Sequence, residues 1–380
     1  MNYREFINLT HAFAWHGAQT AGHAFPDEPA LVSSFVEPQM LSQLEAIARA
    51  QVPQQHWKIS SIFAHKTPTV HPHGETGPVE IADLMLVRLH ISNATPARGR
   101  AFLLQAKRSP RPTTGAIPFG KPQIQFRLYQ NWPIFEGTTR LPRLCCNTQA
   151  WSFAPPPAGL AYGRYLILYN EQAFCLAASL SDPPIPVSGS SFVSAGFPGD
   201  ATWAHGLALP TAATPVRADG TEDFSVILEH FVSGNEGIPF EPGLFSTSDH
   251  WSTFVNTMLL YGTDPGYAYL AAARGVTQRQ PRGGVISSFP RFVAASFMLR
   301  DSPHLLGYIL GAPPFSPAMR AVDRDLHLLS YLAGAPEFNS DEPPVPPFET
   351  MRSSDEGPGT PAILLAVSAG NEVPEGLRGE

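Results

Sequence analysis

Three polar residues at the ends of two apolar segments have the types and spacing of a catalytic site. Asp83 interrupts an apolar segment, and Gln105 and Lys107 end the apolar run AFLLQAK at residues 101–107. Gln105 and Lys107 are two residues apart, so both project from one face of a strand. A buried carboxylate needs a partner, so Asp83 should meet a cation. A carboxylate, an amide oxygen and an amine around one point suit a divalent metal ion with a lysine beside it, which is the chemistry of phosphodiester hydrolysis.

The segments around these residues alternate between helical and strand-like periodicity. The predicted elements, in chain order, are a helix over 35–50, strands over 57–65, 80–91 and 101–108, a helix beginning at 123, and a strand over 163–170. A polar turn over 92–100 would join the second and third strands as a hairpin, which brings Asp83 beside Gln105 and Lys107.

Each of these residues also has a purely structural interpretation. A lysine at the end of a strand commonly extends its amine to solvent while its methylenes pack. An aspartate near the start of a strand is often a turn or cap residue. The catalytic interpretation rests on finding the three together, in this order, with 22 residues between Asp83 and Gln105.

The pattern resembles the PD-(D/E)XK nuclease superfamily, the restriction-endonuclease-like proteins. Asp83 matches the acid of the first half-motif, and Gln105, Ala106 and Lys107 match the second half-motif in the Q-x-K form of Mrr-like nucleases. Ala82 stands where the family name has proline. The resemblance covers residues 30–170 and implies an α/β fold with an αβββαβ core, in which helices flank a mixed central sheet.

The resemblance also implies a cofactor and its ligands. Mg²⁺ would be held by Asp83, Gln105 and the main-chain carbonyl of Ala106, and Mn²⁺ could substitute for it. Such nucleases often add a glutamate from the first helix. Glu37 is preferred because it falls on the apolar stripe of its helix, and Glu45 and Glu80 remain alternatives. Lys107 is expected to stabilise charge and position water, and proton transfer would go to solvent.

Basic residues are concentrated around the motif. Residues 98–143 contain nine lysines and arginines and one acid, whereas the whole chain has a net charge of −7. This segregation can focus an anionic ligand, so we expect DNA to bind here with an affinity that falls steeply with salt. The candidate nucleic-acid contacts are Arg108, Arg111, Lys121, Gln125, Arg127 and Tyr129. A solvated helix face or an arginine-bearing surface without a partner explains the same residues.

Two further motifs do not meet the requirements of their chemistry. The segment GAIPFGK at 115–121 ends in Pro122 where a nucleotide-binding loop needs serine or threonine, and it follows a loop rather than a strand. His71 and His73 could share a zinc ion, but only His65 lies nearby at ligand spacing. His65 could instead contact a substrate phosphate, although packing explains it as well.

The chain divides, by its sequence, into a nuclease-like domain at 1–175 and a proline-rich α+β region at 176–380. In the second half, helices are predicted at 222–233, 250–261 and 321–333, and strands at 287–299 and 362–368. This region is a candidate sensor or surface for a protein partner. Whether it forms its own domain or extends the first sheet stays open, as does homo-oligomer formation.

No segment approaches the ~20 consecutive apolar residues that span a membrane. Three cysteines without metal spacing indicate free thiols in a reducing compartment, which predicts a cytoplasmic protein. Together these features predict a Mg²⁺-dependent endonuclease acting on DNA in prokaryotic restriction or anti-phage defence, with repair as another setting. The alternative is a catalytically inactive nuclease-fold module that binds nucleic acid or a partner protein.

Overall fold

The computed structural model describes residues 1–20, 22–36, 38–62, 69–91, 98–110, 112, 122–137, 150–176, 192–194, 205–208, 222–244, 246–263 and 362–370. The helices in these ranges are α1 (Tyr3–Thr20), α2 (Glu28–Ser33), α3 (Pro38–Gln51), α4 (Pro122–Asn131), α5 (Phe224–Ser233) and α6 (His250–Thr263). The strands are β1 (Gln55–Ile62), β2 (Thr69–Pro72), β3 (Val79–Glu80), β4 (Leu84–Ile91), β5 (Arg98–Ser109), β6 (Phe135–Gly137), β7 (Ala150–Trp151), β8 (Gly163–Tyr169), β9 (Phe174–Leu176), β10 (Phe192–Ser194), β11 (His205–Ala208), β12 (Glu222–Asp223), β13 (Ile238–Phe240) and β14 (Ala362–Gly370).

A mixed eight-stranded sheet forms the centre of the fold, in the order β1-β14-β4-β5-β8-β11-β12, with β13 also paired to β5. β4 and β5 form an antiparallel hairpin, and β5 runs parallel to β8. α4 lies in the connection between these two parallel strands, as a parallel crossover requires. Two smaller sheets are described, β3-β2-β6-β7 and β10-β9. The protein therefore has a mixed α/β fold, as the sequence predicted.

Both faces of the central sheet are covered by apolar side chains. Leu84 and Leu86 of β4 point to one face and pack with residues of α1, α3 and α5. Met85 and Val87 point to the other face and pack with residues of α4 and α6. A sheet buried on both faces explains why β4 and β5 read as nearly continuous apolar runs rather than as alternating ones.

Most elements predicted in the first half are present, with shifted boundaries. The strand predicted over 80–91 is interrupted at residues 81–83, so that β3 ends before Asp83 and β4 begins after it. α1 was not predicted, because its buried face includes polar residues such as Thr10 and His11 that obscure the apolar period.

Strands from the second half of the chain lie in the same sheet as those of the first half. β14 pairs antiparallel with β1 and parallel with β4, and β11 pairs with β8. The central sheet therefore crosses the boundary predicted at residue 175. The helix predicted at 321–333 and the strand predicted at 287–299 lie outside the described residues. Within the described ranges, no helix is long and apolar enough to span a membrane.

Candidate functional site

The register of the β4–β5 hairpin places Asp83 beside the QAK segment. Leu84 pairs with Leu104, and the Asp83 main-chain N–H donates to the carbonyl of Leu104 at 2.9 Å. Asp83 therefore continues the ladder by one residue and lies beside Gln105. The juxtaposition predicted from the sequence is present in the structure.

The Asp83 carboxylate is buried and hydrogen-bonded through one oxygen. Its Oδ2 accepts from the Gln105 side-chain amide and, at 2.7 Å, from the Ala106 main-chain N–H. Its Oδ1 has no hydrogen-bond partner in the described part of the chain. Burial raises the pKa of Asp83, while the nearby Lys107 ammonium and the Ala106 N–H oppose that shift. A carboxylate that is costly to ionise is thus held at a fixed place, a common property of catalytic sites.

α4 supplies a residue that fixes the orientation of Gln105. The Gln125 amide donates to the Gln105 side-chain oxygen and, at 2.8 Å, to the main-chain carbonyl of Glu80. Gln125 is 7% exposed, so the expectation that it contacts phosphate is corrected. Tyr129 is corrected for the same reason: it is buried, and its hydroxyl donates to the carbonyl of Ile81 at 2.6 Å.

The second carboxylate near Lys107 belongs to Glu28, which the sequence did not single out. Lys107 Nζ lies 3.9 Å from Glu28 Oε1 and donates to the Ala106 carbonyl at 2.6 Å. Burial and the neighbouring charge of Asp83 raise the pKa of Glu28 to about 7, although Lys107, Arg108 and a main-chain hydrogen bond from Arg108 oppose the shift.

The local sequence explains why Glu28 lies there. Asp27 caps α2, and its side chain accepts from the Ala30 N–H at 3.0 Å. Pro29 suits the first turn of the helix, where its missing N–H has no intrahelical partner to lose. Glu28 is therefore the first helical residue, and α2 packs near β5. The sequence DEPA at residues 27–30 is typical of the start of a helix. The six residues of α2 are too few to show a helical period.

The glutamates that were expected to complete the site have other positions. Glu37 lies outside the described residues. Glu45 accepts from Arg49 at 2.6 Å and from the main-chain N–H of Ile59 at 3.1 Å, so its carboxylate joins α3 to β1 instead of facing the motif. Glu80 is a neighbour of the site through its main-chain carbonyl, which accepts from Gln125.

Of the basic candidates, Arg108 is half-buried beside an aromatic ring and Arg127 is paired with a carboxylate. The Arg108 guanidinium lies 5.1 Å from the centre of the Phe25 ring, next to the Lys107 and Glu28 pair. The Arg127 guanidinium forms two hydrogen bonds with the Glu75 carboxylate at 2.5 Å, so much of its charge is already balanced. Arg111 and Lys121 lie outside the described residues.

The described residues contain no cluster of three or more His, Cys, Asp or Glu side chains able to hold a metal ion. At the motif, the acids are Asp83 and Glu28, and the Gln105 side-chain amide takes the place of a third acid. His73 contacts Glu136 at 3.2 Å on the surface, and His65 lies outside the described residues.

Comparisons of the chain with protein-family models, with curated proteins and with solved structures each found no match.

Proposed function

We propose that this protein is a metal-dependent endonuclease that hydrolyses the phosphodiester bonds of DNA. The observation that carries the proposal is the meeting of Asp83, Gln105 and Lys107 at one end of the β4–β5 hairpin, with the Glu28 carboxylate 3.9 Å from the lysine. A buried acid, a second acid of raised pKa and an amine at one sheet end form a group of interacting ionisable side chains with no evident structural need.

The order of elements around the motif supports the resemblance to PD-(D/E)XK nucleases. A helix precedes β1, the β4–β5 hairpin follows, and α4 connects β5 to the parallel strand β8. The described elements also differ from a simple αβββαβ order, because β14 lies between β1 and β4 in the sheet, β2 and β3 lie between them in the chain, and β13 pairs with β5. The motif lies on the hairpin and its crossover, which these additional strands do not interrupt.

The oxygen atoms at the motif fit a Mg²⁺ or Mn²⁺ ion. The ligands would be Asp83 Oδ1, the Glu28 carboxylate and the Ala106 carbonyl, of which the last two lie 3.9 Å and 2.6 Å from Lys107 Nζ. The Gln105 side-chain oxygen accepts from Gln125 and retains a second lone pair. These are hard oxygen ligands of the type such ions prefer. When bound, the ion would activate water and offset the negative charge of the phosphate.

The protein side chains have separate tasks in this proposal. Lys107 supplies a positive charge near the phosphate and helps to position the attacking water. Without a bound ion, burial and the neighbouring charge of Asp83 raise the pKa of Glu28 to about 7, so an ion held by its carboxylate would displace a proton. Gln125 touches Gln105 and not the substrate, and it is therefore a positioning residue.

The experiment is a cleavage assay on supercoiled and linear DNA with Mg²⁺ or Mn²⁺. Lys107→Ala and the longer, uncharged Lys107→Met should each reduce cleavage by about 10² or more, the scale of a lost transition-state contact. Arg49→Gln is the control, since it removes an exposed positive charge on α3. Undiminished cleavage by both lysine variants, with folding verified by circular dichroism, would contradict the assignment.

A second candidate is a nuclease-fold module that binds without cutting. It is favoured by the burial of the motif, because Asp83 and Gln105 are 8% and 2% exposed and bonded to each other. Calorimetry with Mn²⁺ separates the two candidates. A catalytic site takes up the ion in the wild type and not in Asp83→Ala, whereas a binding module shows no uptake in either.

We further propose that the cellular setting is restriction or anti-phage defence in the cytoplasm, with a partner protein binding the second half of the chain. The efficiency of phage plating on cells that express the wild type or Lys107→Ala tests that setting. Equal plating on both would argue against it.

A further inference from the structure

A second basic site lies at the opposite end of the β4–β5 hairpin. A cleft of about 660 Å³ opens there, within the range of small-molecule sites. Its walls include Arg88, His90, Arg98, Arg100, Gly234 and Phe240. Asp83 and His90 are seven residues apart on an extended chain, so the cleft is roughly 20 Å from the candidate catalytic site.

The four basic residues form two directly opposed pairs on the hairpin. Arg88 pairs in register with Arg100, and His90 pairs with Arg98. Alternation along each strand places all four on the same face of the sheet. Like charges directly opposite each other destabilise an antiparallel pair, so the Arg88–Arg100 pair works against the stability of the fold. Burial and the nearby Arg88 and Arg98 lower the pKa of His90, so the other pair carries the charge of Arg98.

The fold holds these arginines in place without neutralising them. Arg88 Nε donates to the Val232 carbonyl at 2.8 Å, in the last turn of α5, and one Arg100 guanidinium nitrogen donates to the Gly237 carbonyl at 2.8 Å. In the described ranges, neither these two arginines nor Arg98 forms an ion pair with a carboxylate. Burial, and to a smaller extent the neighbouring Arg100, lower the pKa of Arg88 to about 10.

Two acids line the cleft, and one of them also caps a helix. The Asp249 carboxylate accepts from the Ser252 main-chain N–H at 2.9 Å and from its hydroxyl at 2.6 Å, and so caps α6. Glu241 is the other acid, and its residue is exposed. Among the described residues, three arginines and two carboxylates therefore line the cleft, and no ion pair joins the arginines to these acids.

We infer that this cleft binds a small molecule that carries a phosphate or pyrophosphate group. Guanidinium groups bind phosphate oxygens through paired hydrogen bonds, and an anion bound beside Arg88 and Arg100 would offset the repulsion between these two arginines. The end of α5 and β13 contribute to the lining of the cleft beside these arginines. The inference is independent of the proposed nuclease activity.

The test measures ligand binding to the full chain by calorimetry, with pyrophosphate and ATP as probes. Arg98→Gln is the main variant because Arg98 is exposed and its loss should not disturb the core. Arg100→Gln is the second, and Arg49→Gln on α3 is the matched control. We expect the wild type and Arg49→Gln to bind at least one probe equally well, and Arg98→Gln and Arg100→Gln to bind it at least tenfold more weakly.

Thermal unfolding without added phosphate gives a second readout. Because Arg98 is exposed, the melting temperature of Arg98→Gln should stay close to that of the wild type, while the rise caused by pyrophosphate is lost. Failure of both probes to bind the wild type would overturn the inference. So would weaker binding of duplex DNA by Arg98→Gln without any binding of the probes, since the cleft would then be part of a nucleic-acid surface.

Discussion

At the scale of single residues, Asp83 is held in a position that opposes its own charge. Because burial raises its pKa, the folded protein retains a proton that the unfolded chain releases. The free energy of unfolding therefore decreases as pH rises from the pKa of an aspartate in the unfolded chain to the higher pKa of Asp83 in the folded protein. It stays at the lower value above that pH. The buried acid is kept at a cost to the fold, as is common at catalytic sites.

Asp83→Asn should therefore make the metal-free protein more stable at neutral pH while cleavage is lost. We expect a gain in the free energy of unfolding at pH 8 that shrinks toward pH 4. Urea denaturation at both pH values measures it. Asp249→Asn is the control, because asparagine caps a helix as well as aspartate does. A loss of stability in Asp83→Asn larger than in the control would show that the charge itself supports the fold.

Glu28 should set the pH dependence of the site. Its pKa of about 7 in the folded protein exceeds the ordinary 4.5, so the stability of the wild type falls as pH rises across that interval. Glu28→Gln should abolish this part of the fall, which unfolding at pH 5 and pH 8 without metal would detect. Because the ion would need the ionised carboxylate, metal binding by the wild type should strengthen as pH rises through 7, and the variant should lack that rise. Parallel pH profiles of metal binding for the two proteins would exclude Glu28 as a ligand.

At the scale of elements, the packing of α4 against β8 determines where Gln125, and with it Gln105, lies in the candidate site. Gly163 begins β8, and a Cβ atom there would lie 2.8 Å from the Tyr129 ring and 2.9 Å from the Trp132 ring. Gln125 is one turn before Tyr129, so both share a face of α4. A displaced Tyr129 would therefore also move the amide that orients Gln105.

Gly163→Ala should lower stability by about 1–3 kcal/mol, the usual cost of overpacking a core, and should reduce cleavage as well. Gly77→Ala is the matched control, since a Cβ atom at Gly77 meets nothing within 4 Å. Chemical denaturation and the cleavage assay provide the two measurements. Equal behaviour of the two alanine variants would mean that α4 does not position the motif.

Local signals in the sequence predicted the hairpin and its motif but not every partner. Asp83, Gln105 and Lys107 could be brought together because a period of two and a short turn determine a hairpin. Glu28 could not be predicted because α2 is too short to show a helical period, whereas α3, with Glu45, is long enough to show one. Gln125 was assigned to phosphate because a helix pattern alone does not say which polar residue faces inward.

At the scale of the whole molecule, the sheet is completed by a strand from far along the chain. β14 lies between β1 and β4 and pairs with both. The run AILLAVS predicted a strand, but periodicity carries no information about which strands will be neighbours when hundreds of residues separate them. The sequence therefore left open whether the second half extends the first sheet, and this pairing shows that it does.

A substitution within β14 should therefore weaken the element that carries the candidate site. Ala366 is buried and lies in register between Ile59 of β1 and Arg88 of β4. Ala366→Pro removes a main-chain donor from a central strand, so we expect a loss of about 3 kcal/mol or full unfolding. Ala366→Gly keeps the N–H and should lose only about 0.5–1 kcal/mol.

Urea denaturation compares the two variants, and hydrogen exchange should show reduced protection of β4 in the proline variant. Equal stability of the two variants would mean that β14 is dispensable to the sheet, and that β4 holds Asp83 without it.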